Sequence, residues 1–401
     1  MTSNRRQFLA SSLSAGALAS LGLASCRTMG GGKAREPKRI LILGGTGFLG
    51  PALINAVLAR GHQLSIFNSG RTEKQRADGG RPSVVPEGVE VLVGNRDPLL
   101  TADDRRLAGD PDIESKRDPE SPRGLSQLAG KRWDAVIDTS GYFPRIVRAS
   151  AEFLAPFVDQ YIYVSSISVY ADESRSELLE TDELEVLPDP DTEDFGPNFE
   201  NYGAGKAASE AAAELAMPGR TTNVRPGFIV GRRDSTRRFT YWPWRVAQGG
   251  TMLVPGTPDD PFQFIDVRDL AEWMVRCAEE GHVGVYNATG PAKPLAMGEL
   301  LAACNRASGT ETEFLFADHE FVRSKGVPAP MWTPPGGDYG GLHRASIQRA
   351  LTAGLTFRST EDTARSCLEW YDSLPPEYQA YQLPEVSLEN EAAAVEEWRS
   401  S

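Results

Sequence analysis

The stretch Arg39-Ile40-Leu41-Ile42-Leu43, Gly44-Gly45-Thr46-Gly47-Phe48-Leu49-Gly50, Pro51 decides the fold. An unbroken apolar run reads as a strand buried on both faces, which is the situation of a parallel sheet. The glycines turn the chain, and Pro51 suits the first turn of a helix that runs to about Arg60 and stops at Gly61. A glycine loop between strand and helix seats a pyrophosphate, because the helix amino end favours negative charge. The glycines fall at Gly-x-x-Gly-x-x-Gly spacing. Gly44 and Gly47 permit unusual torsions and close approach, and Gly50 lets helix and strand pack tightly. Thr46, Phe48 and Leu49 complete the loop as candidate cofactor contacts.

Outward from this loop, further strands are expected at 63–67, 89–93, 133–138 and 160–165, with a helix at 146–157. Strand and helix alternating at this spacing imply right-handed crossovers, hence an α/β, Rossmann-like, doubly wound parallel sheet over residues 38–225. Residues 101–123 are rich in Asp, Arg, Pro and Ser and read as a surface insertion. A short strand at 222–225 follows the helix that begins at Tyr202. Beyond it, irregular short elements, including a strand at 262–267 and a helix at 268–280, predict a smaller C-terminal α+β substrate region over 226–375. Residues 376–401 read as a solvated acidic tail.

Composition narrows the function. The chain has 401 residues, 40% hydrophobic and 24% charged, ordinary for a globular protein. Its net charge of −13 argues against a nucleic-acid partner. Cys277, Cys304 and Cys367 lie in amphipathic segments and read as small buried hydrophobes. His62, His282, His319 and His343 lack metal-ligand spacing, so no metal is expected.

Two segments carry chemistry. Tyr202-Gly203-Ala204-Gly205-Lys206 places a phenol and an ammonium one turn apart on one helix face. A free tyrosine titrates near pH ~10, and a neighbouring cation favours its phenolate. Val164-Ser165-Ser166-Ile167-Ser168-Val169-Tyr170 ends the fifth strand with three serine hydroxyls. Together with the glycine loop, these segments resemble the extended short-chain dehydrogenases/reductases of the epimerase/dehydratase kind, over residues 38–370.

The resemblance implies that Tyr202, Lys206 and Ser166 are catalytic, with Tyr202 and Lys206 also touching the cofactor. It places Asn68, Arg71, Asn95, Arg96, Thr139, Ser140, Gly141, Pro226 and Gly227 along the dinucleotide. It implies a small-molecule substrate, with Arg238, Tyr241, Trp242 and Arg245 in the substrate region. Asp266 stands where relatives often show His. Asn68 replaces the carboxylate that would repel a 2′-phosphate, and Arg71 follows, so the expected cofactor is NADP or NAD, with NADP favoured. A homodimer is a further expectation.

The amino terminus resembles a twin-arginine (Tat) export signal, with Arg5-Arg6 before an apolar stretch too short to span a bilayer permanently. Leu23-Ala24-Ser25-Cys26 resembles a bacterial lipobox. Residues 1–25 are therefore expected to be removed and Cys26 to be lipidated, with 27–37 as a tether to a lipid anchor in the periplasm or cell envelope. Three functions remain open at this point. One is an NAD(P)-dependent enzyme and another a catalytically silent cofactor-binding lipoprotein. The third is an RNA-binding module, which acidic charge and export oppose.

Overall fold

Ile40 and Ile42 pack into one hydrophobic cluster, while Leu41 and Leu43 pack into another on the opposite face. That alternation explains the unbroken apolar run: each face of the strand meets helices. The computed structural model describes residues 36–97, 124–379 and 387–401. The expected signal with Cys26, most of the tether and the insertion at 101–123 lie outside these residues.

The strands are β1 Arg39–Leu43, β2 Gln63–Asn68, β3 Glu90–Val93, β4 Trp133–Asp138, β5 Val158–Val164, β6 Thr221–Pro226, β7 Ile229–Val230, β8 Thr251–Pro255, β9 Ile265–Asp266, β10 Gly284–Ala288 and β11 Glu313–Ala317. The helices are α1 Gly50–Ala59, α2 Arg71–Asp78, α3 Pro144–Leu154, α4 Tyr202–Ala216, α5 Tyr241–Ala247, α6 Val267–Glu280, α7 Met297–Ser308, α8 His319–Ser324, α9 Gln348–Thr352, α10 Thr360–Asp372, α11 Pro376–Gln379 and α12 Leu388–Ser400.

Seven strands form one all-parallel sheet in the order β3-β2-β1-β4-β5-β6-β10. The fold is therefore Rossmann-like, with α1 and α6 on one face and α3 and α4 on the other. The chain winds outward from β1 to β3, then returns to β4 beside β1. Neighbouring loops diverge at that reversal and leave a crevice at the carboxyl ends of the strands. The glycine loop and Thr139-Ser140-Gly141 both sit there.

The second half is not an independent body. β10 pairs with β6, and the described residues form one compact unit. Its own core gathers α5, α7 and α10 around Trp242, Phe262, Leu301 and Cys367. Cys277, Cys304 and Cys367 are free and buried.

The carboxyl end corrects the reading of a solvated tail. α12 packs on β8, burying Ala394 and Val395. Its Glu391 is buried, accepts the Leu253 N–H at 3.0 Å, and pairs with Arg245 at 2.6 Å. A run of Glu residues hid an amphipathic helix.

Candidate functional site

The glycine loop begins with two left-handed residues, Gly44 at φ +96° and Gly45 at φ +81°. Glycine reaches this region without strain. Gly44 N–H donates to Phe67 O at 2.9 Å, and Gly45 N–H reaches Thr139 Oγ1 at 3.3 Å, which ties the loop to β2 and β4. A Cβ at Gly50 would collide with the Gly45 carbonyl, so Gly50 permits the close packing expected of it. Gly47 departs from its torsional reading, because it is not among the positive-φ glycines. It is exposed, and a Cβ there meets nothing within 4 Å. Open space at an uncapped helix amino end fits a pyrophosphate. Thr46 and Leu49 are buried and Phe48 packs on the core, so the loop offers its backbone rather than these side chains.

Tyr202 opens α4, and Lys206 lies one turn along. Ser166, beyond the end of β5, is within hydrogen-bonding reach of the Tyr202 phenol. Its Oγ also accepts the Ser168 N–H at 3.1 Å, which fixes its orientation. The neighbouring Ser165 hydroxyl is buried without a partner. Lys206 is buried and donates to the carbonyls of Gly141 at 2.9 Å and Val164 at 2.7 Å. Its Nζ also lies 4.6 Å from the Tyr163 ring centroid. Burial pushes this ammonium down to about 8, against the pull of Asp138 and Glu210.

The phenol behaves differently from the expectation of a phenolate. Burial is the largest influence and raises Tyr202 above its ordinary value, outweighing the nearby Ser166 hydroxyl and the Arg238 charge. Desolvation opposes the charged form more strongly than nearby dipoles favour it. Tyr202 therefore rests protonated, ready to donate to a substrate oxygen.

Several other residues are committed elsewhere. Arg96 grips both oxygens of buried Asp138 at 2.6 and 2.7 Å and also donates to Ser140 Oγ and Ser150 Oγ at 3.0 Å. It braces β4, and its guanidinium is engaged there rather than turned to the dinucleotide. Asn68 donates to Gly44 O at 3.1 Å and accepts Gly70 N–H at 2.8 Å, so its amide holds the loop and the turn into α2. Arg71 is the first residue of that helix and is exposed. Asn95 accepts the Asp97 N–H at 2.9 Å. Gly141 is wedged among Tyr163, Val147 and Asp138, while its carbonyl serves Lys206. Pro226 ends β6, and Gly227 packs against Thr289.

The substrate group is corrected more sharply. Tyr241 and Trp242 are fully buried core residues, and Arg245 is spent on Glu391. Arg238 differs from these three: it is exposed and its charge reaches Tyr202. Asp266 caps α6, accepting the Arg268 N–H at 2.8 Å and pairing with the Arg268 guanidinium. Sequence reading missed Tyr142, Phe195 and Phe199, whose rings gather beside Tyr202. Among the described residues, no cluster of His, Cys, Asp and Glu suits a metal.

A model of the NAD dependent epimerase/dehydratase family matches residues 143–289. That span contains Ser166, Tyr202 and Lys206. The epimerase family protein SDR39U1 of Bos taurus is 26% identical over 280 residues, covering 68% of this chain and 81% of its own. The chloroplast stem-loop binding protein of 41 kDa b of Arabidopsis thaliana is 26% identical over 302 residues, covering 74% of this chain and 71% of its own. The Bordetella bronchiseptica enzyme WbmH, solved with NAD+, superposes with a TM-score of 0.55 at 16% identity, covering 84% of this chain and 99% of its own. At that identity the superposition establishes the fold. The two relatives differ in what they are named for, so the function has to be argued from the site.

Proposed function

We propose that this chain is an NAD(P)-dependent enzyme of the extended short-chain dehydrogenase/reductase kind, an epimerase, dehydratase or oxidoreductase acting on a hydroxy or keto compound. The observation that carries this reading is the Ser166–Tyr202 pair with Lys206 buried one turn away. The glycine loop, with Gly47 facing open space, fits the pyrophosphate of the dinucleotide, whose nicotinamide supplies hydride acceptance and return. Ser166 holds the substrate oxygen, and Tyr202 donates or takes its proton. Lys206 keeps a positive field beside them. The family model and the epimerase-family relative support the same assignment.

We further propose that the protein is exported by the Tat route and anchored through Cys26. Outside the cytoplasm there is no nicotinamide pool, so the reaction returns the hydride within each turnover and the cofactor stays bound. A sugar or glycan fragment is the substrate this places within reach. The dinucleotide is NADP, because no carboxylate ends β2 and Arg71 opens α2. A charge-assisted contact of that kind contributes about 1.5–3 kcal/mol. Titrating apo-protein with both nucleotides tests this: NAD binding more tightly than NADP, or Arg71→Ala leaving their ratio unchanged, overturns it.

The reading as a whole is tested by offering hydroxy and keto sugars to purified protein and following the bound nicotinamide. Wild type should exchange hydride with at least one of them, and Tyr202→Phe should slow that exchange by roughly 10²–10⁴-fold. Equal rates in the two proteins would move the chemistry away from Tyr202. Bound nucleotide without exchange would favour a silent cofactor-binding protein.

A further inference from the structure

Beside the Ser166–Tyr202 pair stands a stack of rings that the proposed mechanism does not use. Phe195 lies nearly parallel to both Phe143 (5.4 Å, 22°) and Phe199 (5.6 Å, 14°). It meets Tyr202 edge-on at 5.8 Å and Tyr142 edge-on at 6.0 Å. The Tyr142 ring is itself 5.3 Å from Lys206 Nζ. The stack is thus built onto both proton-transfer residues. Yet Phe199 is 66% exposed and Tyr142 47% exposed.

The backbone is bent to present one of these rings. Phe199 sits at φ +63°, where a non-glycine residue costs roughly 1–2 kcal/mol. Its N–H donates to Gly196 O at 3.2 Å, and its carbonyl accepts the Tyr202 N–H at 3.1 Å, so the turn is continuous with α4. A strained residue offering a large apolar ring to solvent next to an acid–base pair points to use.

Charge selects the occupant. Asp194 and Glu200 flank the turn, accepting the backbone N–H groups of Gly196 and Asn198. Neither has an ion-pair partner among the described residues, so the turn that carries Phe199 disfavours a diphosphate, and Arg238, whose charge reaches Tyr202, is the cation set against it. An uncharged ring with an apolar C–H face is not disfavoured there. To react it must also carry an oxygen that reaches Ser166 and Tyr202.

We propose that Phe199 and Tyr142 form an aromatic subsite for the C–H face of an uncharged pyranose, so that the substrate is a neutral glycoside and not a nucleoside diphosphate sugar. This rests on the redox reading of the Ser166–Tyr202 site. The test is saturation-transfer NMR on the full-length protein with its bound nucleotide, using methyl β-D-glucopyranoside and UDP-glucose as probes. Transfer to the ring C–H protons of the glucoside is expected, with UDP-glucose binding no tighter. Phe199→Ala and Tyr142→Ala should each weaken the glucoside by about 2- to 10-fold, the value of one aromatic contact. Phe199→Trp should retain binding, which separates loss of the ring from loss of the fold. No transfer to the glucoside, affinity unchanged in both alanine variants, or tighter binding of UDP-glucose overturns the subsite. A wild-type preparation that holds no nucleotide, and whose apo-protein binds neither NAD nor NADP, overturns the redox reading instead.

Discussion

Replacing Lys206 with Met should uncouple stability from pH in a window set by the burial of its ammonium. Burial lowers this group from 10.5 to about 8. At about 1.36 kcal/mol per pH unit, that corresponds to a charging penalty of ~3 kcal/mol in the folded state. Below the folded value both states hold the proton and the penalty is constant. Between about 8 and 10.5 the unfolded chain binds more protons than the native one, so stability rises with pH. Above that window the penalty is gone. The methionine variant has no such charge, but it leaves the Gly141 and Val164 carbonyls without their Nζ donor. Each unmet carbonyl costs about 1–3 kcal/mol, although Gly141 O keeps the Tyr163 hydroxyl at 2.9 Å. Near pH 7 the two effects offset to within about 2 kcal/mol. By pH 10 the wild type should have gained ~3 kcal/mol on the variant. Buried Tyr161 and Cys277 are raised and tilt stability the other way, but equally in both proteins. Urea unfolding of nucleotide-free wild type and Lys206→Met across this range measures the difference directly. Parallel pH curves would refute a buried, charged Lys206.

Two further substitutions test other parts of the molecule. Gly50→Ala places a methyl against the Gly45 carbonyl and should displace the loop from α1, weakening nucleotide binding by at least tenfold in a titration; unchanged affinity would contradict the tight loop. Arg245→Met should lose about 3–5 kcal/mol in urea unfolding by stranding Glu391, with much of the loss recovered in the Arg245→Met/Glu391→Met double variant. An Arg245→Met protein of normal stability with altered substrate affinity would restore Arg245 to the substrate site.

Features specified by adjacent residues were legible in the sequence. The run from Ile40 to Leu43 gave β1 because both its faces are buried, and the glycines gave the loop because two of them need left-handed torsions. The Tyr202–Lys206 spacing needs only one helical turn. Features decided at long range were not legible. Arg245 and Trp242 look alike in a pocket and in a core, and Glu391 decides the matter from 146 residues away. Arg96 depends on Asp138, and Asn68 depends on the Gly44 carbonyl. α2 buries none of its side chains, so no apolar period marked it. The ring cluster escaped because Phe195 and Phe199 lie in an acidic, proline-containing stretch, and only the fold brings them against Tyr202.

The central claim is that the crevice between β1 and β4 holds a nicotinamide dinucleotide against Tyr202. Mass spectrometry of the small molecules released when natively purified protein is denatured tests it most directly. The account predicts one dinucleotide per chain, as NADP, present equally in wild type and Tyr202→Phe. A preparation that releases no nucleotide, and whose apo-protein binds neither NAD nor NADP, would contradict it.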